Sequence, residues 1–206
     1  MIIQYISLQK VSSLKCQLSA ILLLIASFSA AAQDKKIEKE DRISEEKMPE
    51  QAILLFNAEK PKNARRLRFY FETDGEKTSY EAKFKHKGYD YSAEFGNDGN
   101  LEDIEVELKE KEMPEKALQK ITDYIEQENN RHKIEKIQAQ YLPKKSPSEV
   151  FRKALDPEKN EPANYELIVA VKNNGKLERF EMLFDHSGNF VQKREIVRNE
   201  YDYLLF

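Results

Sequence analysis

Tyr80-Glu-Ala-Lys-Phe-Lys-His-Lys-Gly-Tyr-Asp-Tyr-Ser-Ala-Glu-Phe95 alternates apolar and charged residues on both sides of a Lys87-Gly88 turn. Tyr80, Ala82 and Phe84 share one face of the first strand, and Tyr89, Tyr91, Ala93 and Phe95 share the matching face of the second. Glu81, Lys83, Lys85, Asp90, Ser92 and Glu94 take the other side. Successive strand side chains point to opposite faces, so this spacing predicts an antiparallel hairpin with one dry and one wet side. The pattern extends outward. Upstream, Leu67, Phe69 and Phe71 alternate with Arg66, Arg68 and Tyr70. Downstream, Ile104, Val106 and Leu108 alternate with Asp103, Glu105 and Glu107. Asp74-Gly75 and Asn97-Asp98-Gly99-Asn100 supply the intervening turns. Met48, Ala52, Leu55 and Phe56 recur at helical spacing just before the strands, with Pro49 suited to a first helical position.

The order then restarts. Glu46-Lys-Met-Pro-Glu-Gln-Ala52 is echoed by Glu112-Met-Pro-Glu-Lys-Ala117, and Phe95-Gly-Asn-Asp-Gly-Asn-Leu101 by Phe184-Asp-His-Ser-Gly-Asn-Phe190. Tyr91 and Ala93 align with Phe180 and Met182, and Leu118, Ile121 and Ile125 form a second helical stripe. Recurrence of separate features in one order predicts an internal duplication. The second copy holds an extra stretch between Tyr141 and Tyr165. Within it, Ser146-Pro-Ser-Glu149 reads as a capping box opening a short helix over 146–155, packed by Val150, Phe151, Ala154 and Leu155. The expected fold class is α+β, a tandem duplication of a helix packed on a four-stranded antiparallel sheet. Residues 48–110 form the first repeat and 111–206 the second, and the terminal Tyr201 to Phe206 are expected to pack.

The first 47 residues differ in kind. A lightly basic start, the apolar run Leu18-Ser-Ala-Ile-Leu-Leu-Leu-Ile-Ala-Ser-Phe28 and Ala30-Ala31-Ala32 read as a cleavable signal peptide over 1–32. The apolar run is shorter than the roughly 20 residues a membrane span needs, so no stable membrane insertion is expected after cleavage. The single cysteine, Cys16, precedes that run and would leave with the leader. Disulfides, cysteine-bound metal and a thiol nucleophile are then unavailable. Residues 33–47 are almost wholly charged and read as a flexible lead-in.

Charge narrows the function classes. The chain carries 34 basic and 37 acidic residues, a net charge of −3 that becomes −5 when Lys10 and Lys15 leave with the leader. Such a balance offers no attraction to phosphate backbones, so nucleic acid is not an expected partner. His86, His132 and His186 lack metal-ligand spacing and read as surface residues. Asn97 to Asn100 lacks the alternating ligands of a calcium loop and reads as a turn. Asp103, Glu105 and Glu107 read as a solvated strand face. No catalytic, cofactor or metal residue is expected.

The combination of Met-Pro, helix, Tyr-x-Ala-x-Phe, a Lys-Gly turn, Tyr-x-Tyr and Phe-x-x-Asp-Gly-Asn resembles the PepSY-like domain, a group also described as resembling the β-lactamase inhibitory protein (BLIP). The resemblance covers roughly residues 43 to 198. It implies tandem helix-on-sheet units, a periplasmic or secreted setting and, by the family's name, inhibition of a hydrolase. The second copy departs from the pattern, because Lys193 and Glu195 fall where Ile104 and Val106 sit, which calls for a bulge or an edge strand.

One asymmetry points to a partner. Tyr165, Leu167, Val169 and Val171 turn inward, which places Ile168 and Ala170 outward, with Leu177 and Leu183 on the outward register of the next strand. That apolar patch is covered by the 146–155 helix, the tail or the other copy, or else it binds a protein or peptide of the envelope. Arg66, Arg68 and Tyr70 form a second candidate patch. The reading is an exported, non-enzymatic binding module, with a hydrolase inhibitor or a passive structural protein as alternatives.

Overall fold

The computed structural model describes residues 35–129, 131–144, 146–173 and 175–197. The leader and the Tyr201–Phe206 tail lie outside them. In chain order the elements are β1 (Lys35–Lys36), β2 (Glu38–Ile43), α1 (Glu50–Glu59), β3 (Arg65–Asp74), β4 (Lys77–His86), β5 (Tyr89–Phe95) and β6 (Leu101–Glu107). There follow α2 (Glu115–Glu128), β7 (His132–Tyr141), α3 (Pro147–Ala154), β8 (Asn164–Asn173), β9 (Lys176–Asp185) and β10 (Phe190–Ile196).

All ten strands belong to one mixed sheet of order β1-β10-β9-β8-β7-β6-β5-β4-β3-β2. This overturns the expected pair of four-stranded units. The strand that ends the first predicted repeat pairs with the one that opens the second, through Ile104↔Tyr141, Glu105↔Gln140, Val106↔Ala139 and Glu107↔Gln138. Each set of four strands alone would leave an unpaired edge, and joining them satisfies those backbone groups.

The two ends of the sheet order are neighbours in the chain. Only Ile37 separates β1, which pairs with β10 through Lys35↔Glu195 and Lys36↔Ile196, from β2, which pairs with β3 from Glu38↔Asp74 to Ile43↔Phe69. One segment therefore bridges both ends of the meander, and the sheet curls into a nearly closed barrel. Its direction is forced. Eight alternating strands leave β3 and β10 pointing opposite ways, so a segment antiparallel to β3 must run parallel to β10. Residues 35–43, expected to be flexible, are thus the strand that closes the sheet. Low hydrophobicity suggested disorder, but here the backbone ladder and specific charge partners hold the segment.

The helices cover the outside. Alternate strand residues, including Phe69, Phe84, Tyr91, Phe95, Ile104, Val106, Leu167, Val169, Met182 and Phe184, are buried beneath Met48, Ala52 and Phe56 near α1, Ala117, Ile121 and Ile125 of α2, and Val150, Phe151 and Ala154 of α3. Phe56 ties three elements together. Its ring centroid lies 5.9 Å from Phe69, 5.7 Å from Phe84 and 6.4 Å from Phe151. The helical stripes match the sequence expectation, except that Leu55, Leu118 and Leu155 are only partly buried. The Ser146 side chain makes no cap bond, and Glu149 instead lies 2.9 Å from Lys153. Of the two alternatives for the last strand, a bulge or an edge position, the structure shows the bulge, as a register shift between Phe190 and Gln192, with the strand paired on both sides.

Two glycine turns press directly on the helices. A Cβ on Gly99 would meet Ala52 N at 2.9 Å, and one on Gly188 would meet Ala117 O at 2.5 Å, with φ of +80° and +82°. These are the glycines of the two Gly-Asn echoes in the sequence. Gly188→Ala should therefore cost about 2–4 kcal/mol, from left-handed strain plus collision with α2. Gly175→Ala, at φ +84° with open space around it, should cost about 1 kcal/mol. Urea denaturation of both variants measures the difference, and equal costs would disprove the close-approach account.

Candidate functional site: a charged cavity inside the curled sheet

With the apolar face turned out to the helices, the polar face turns in. It walls a cavity of about 640 Å³, lined from β1 to β8 and by β10. The sequence sorted the two faces but read the polar one as open to solvent. That expectation is corrected here. Asp103 is only 7% exposed and Glu81 7%, and the wall encloses Glu105. Curvature is the physical reason, since period-2 alternation assigns side chains to a face without stating whether that face is flat or concave.

The chain's first described residues build the centre. Lys36, from β1, places its ammonium on Glu181 and 2.7 Å from Glu38. Burial works against its charge, but Glu166, Glu181 and Glu38 outweigh this and hold its pKa above the ordinary lysine range. Arg194 of β10 fastens the seam. Its Nη1 donates to Asp74 Oδ2 at 2.7 Å at the far end of β3, while Nε donates to Glu181 Oε1 at 2.9 Å. Burial alone would push the Glu181 carboxyl up, yet Lys36 and Arg194 together pull it below its usual value. On the opposite wall, Lys83 bonds Glu40 at 2.7 Å and Glu81 at 2.9 Å, and sits 5.0 Å above the Tyr70 ring.

Other carboxyls have no such cation. Burial raises Asp103 to about 8, Glu94 adding repulsion and Gln140 partly offsetting both through its 2.9 Å donation to Asp103 Oδ2. Gln140 is itself held by Asn164, which donates to its Oε1 at 2.8 Å. Burial and the Asp103 charge raise Glu105 well above the usual range, although Gln138 donates to its Oε2. Glu166 rises for burial and for its neighbours Glu105 and Glu181. Glu72 rises to about 8 through burial and the charges of Glu38, Glu94 and Glu81. Glu38, Glu40 and Glu72 bring one oxygen each within 4.8 Å of one another, the metal-like grouping among the described residues. Any cation there would compete with Lys36 and Lys83.

The residues singled out from the sequence divide around this space. Ile168, Arg66 and Arg68 line the cavity, and Tyr70 lies beneath Lys83. Arg66 occupies a left-handed conformation, φ +57°, inside a bulge between Arg65 and Arg68. Leu183 lines an adjoining space of about 200 Å³ together with Glu166, Glu181 and Arg194. Ala170 is buried at 5%, whereas Leu177 stands 59% exposed in the β8–β9 hairpin. The apolar patch therefore does not form one surface. Sequence reasoning missed Lys36, Asp103, Glu166, Glu181 and Arg194, and their clustering depends on closure. His86, expected at the surface, is buried at 8%, and burial lowers its pKa.

No family model matches the chain, and no curated protein matches it. Solved structures do match. One is a predicted periplasmic protein of Bacteroides eggerthii, at 12% identity over 72% of this chain and 88% of that one, with TM-score 0.49. A DUF2874 family protein of Bacteroides ovatus matches at 12% identity over 72% and 87%, TM-score 0.49. A BLIP-like protein of Bacteroides fragilis matches at 19% identity over 71% and 86%, TM-score 0.45. The BLIP-like half of the resemblance recurs among these neighbours, while the PepSY-like half and the tandem arrangement do not. No helix among the described residues is long and apolar enough to cross a membrane.

Two outcomes test the cavity's electrostatics. Lys36→Met strands Glu181 and Glu38 without their shared cation and should cost about 3 kcal/mol; an unchanged urea midpoint would count against the central ion pairs. The raised carboxyls fix the sign of the pH dependence. The folded state keeps protons on Asp103 and Glu72 up to about pH 8, whereas the unfolded chain releases them near pH 4. The contribution of these two groups to stability is therefore fully present below that lower value and is lost as pH rises toward about 8, by at most about 1.4 kcal/mol per pH unit and group. Asp103→Asn should flatten part of that fall in denaturation curves taken between about pH 5 and about pH 9.

Proposed function

We propose that this chain is an exported, periplasmic binding module that takes a small polar ligand or the end of a peptide into the space inside its curled sheet. The observation that carries this reading is the walled cavity itself. Its volume falls within the range of about 300–1,000 Å³ common to ligand sites, and charged side chains converge on it from nine of the ten strands. Of the docking face expected around Ile168 and Leu183, Ile168 becomes part of the cavity wall, while Leu183 lines the adjoining space. The exported setting rests on the leader pattern of residues 1–32, and the predicted periplasmic neighbour agrees with it.

Binding is preferred to catalysis because neither histidine nor cysteine lines the space, and most of its carboxyls, Glu72, Glu107 and Glu166 excepted, are matched to lysine, arginine or amide partners. Purified protein should retain a low-molecular-weight compound from the small-molecule fraction of an envelope extract, seen by native mass spectrometry. Ile168→Trp, which places an indole in the cavity, should remove that adduct while leaving the circular dichroism spectrum intact. An adduct that persists unchanged in the folded variant would refute the cavity as the binding site.

A further inference from the structure

The charges around the cavity are sorted by depth. Lys36, Lys77, Lys83, Lys85 and Arg194 are each committed to carboxylates of the wall. What remains without an ion pair among the described residues falls into two main groups, with Glu72 apart beside Glu38 and Glu40. Arg66, Arg68, Lys136 and Glu107 line the cavity and are exposed, so they form its rim, three cations to one acid. Asp103, Glu105 and Glu166 lie deep, where Asp103 accepts from Gln140 and Glu105 from Gln138, both neutral amides. The space thus has a cationic entrance and an acidic floor.

Each part already shows what it accepts. The acidic side of the space accommodates an ammonium group, since the chain's own Lys36 reaches in from β1 to bond Glu181 and Glu38 beside the floor, close enough for the Glu166 charge to act on it. At the rim, Arg66 is held at φ +57° by the β3 bulge, and strained residues of this kind persist where the surroundings demand a particular side-chain placement. Guanidinium groups pair with carboxylates through two parallel hydrogen bonds. A bare divalent ion fits the floor poorly. The three-carboxylate grouping within 4.8 Å found among the described residues is Glu38, Glu40 and Glu72, not the deep acids. Acids spaced apart along a wall suit a longer molecule that meets them in turn.

We propose that the cavity binds a small zwitterion of the amino-acid or short-peptide class, with its ammonium among Asp103, Glu105 and Glu166 and its carboxylate on Arg66 and Arg68. This rests on the cavity being a binding site, as argued above, and adds the chemistry of the occupant. The charge order at the site selects for both ends at once. A ligand with only an ammonium would pass two unpaired arginines, and one with only a carboxylate would leave the floor acids holding their protons instead of pairing with a cation.

Titration calorimetry with trialanine, N-acetyl-trialanine and trialanine amide tests each end on the unaltered protein. Trialanine should bind, and blocking either terminus should weaken it at least about tenfold. The double variant Arg66→Gln/Arg68→Gln should weaken trialanine to a similar degree and leave the amide unchanged. Glu105→Gln should weaken trialanine and the amide but not the acetylated peptide. Should any variant fail to fold, the three peptides on the unaltered protein still decide the matter. Blocked peptides that bind within about twofold of trialanine would overturn the proposal. So would the absence of binding by all three. If all three fail while Ile168→Trp still removes the extract adduct, the zwitterion is wrong and the cavity reading stands. If the adduct also survives Ile168→Trp, both fall.

Discussion

The pairing of residues 35–43 with both β10 and β3 is the constraint on which the architecture depends. Without it the meander would be an open sheet with helices on one side and charges facing water on the other. With it, the charged side becomes an interior. Backbone bonds make the closure, and two side chains secure it. Lys36 reaches Glu181, 145 residues away in sequence, and Arg194 reaches Asp74, 120 residues away. These contacts join parts of the chain that nothing local would bring together.

Enclosing so many charges is costly, and the arrangement shows how that cost is limited. Where a cation can reach, it serves more than one acid, as Lys36, Lys83 and Arg194 do. Where none reaches, an amide donates or the carboxyl keeps its proton. A hydrophobic interior of equal volume would stabilise the fold at least as well. The retained polarity is therefore better understood as serving recognition than stability, in line with the binding role proposed above.

The sequence made much of this legible, and its failures share one cause. Alternation in Tyr80–Phe95 and its flanks sorted the faces correctly, and helical spacing found Phe56, Ile121 and Phe151 as core residues. The echo of Met-Pro and Gly-Asn motifs marked element order, including the glycines that press against α1 and α2. Curvature and long-range pairing were invisible. The wet register of Asp103 and Glu105 is the same whether the sheet is flat or closed. The string Lys35-Lys-Ile-Glu-Lys-Glu-Asp-Arg42 carries no hydrophobic pattern to betray that it is a strand. Sequence motifs also could not say that β6 would pair with β7, so separate sheets were expected where one continuous sheet exists. Ile168 and the bulge arginines were singled out as surface groups, and their common membership of a cavity wall emerged only from the ring.

The placement of the closing strand bears on the order in which this protein can mature. Its earliest strand cannot find its second neighbour until residues 195 and 196 exist, so the ring is the last feature a growing chain can complete. Long-range pairings of this kind form slowly. Until its far end is made, the chain can hold at most an open sheet of β2 to β9, whose charged face still meets water. Sealing is thus coupled to completion of the chain, because the pairing partners of the first strand are among its last described residues.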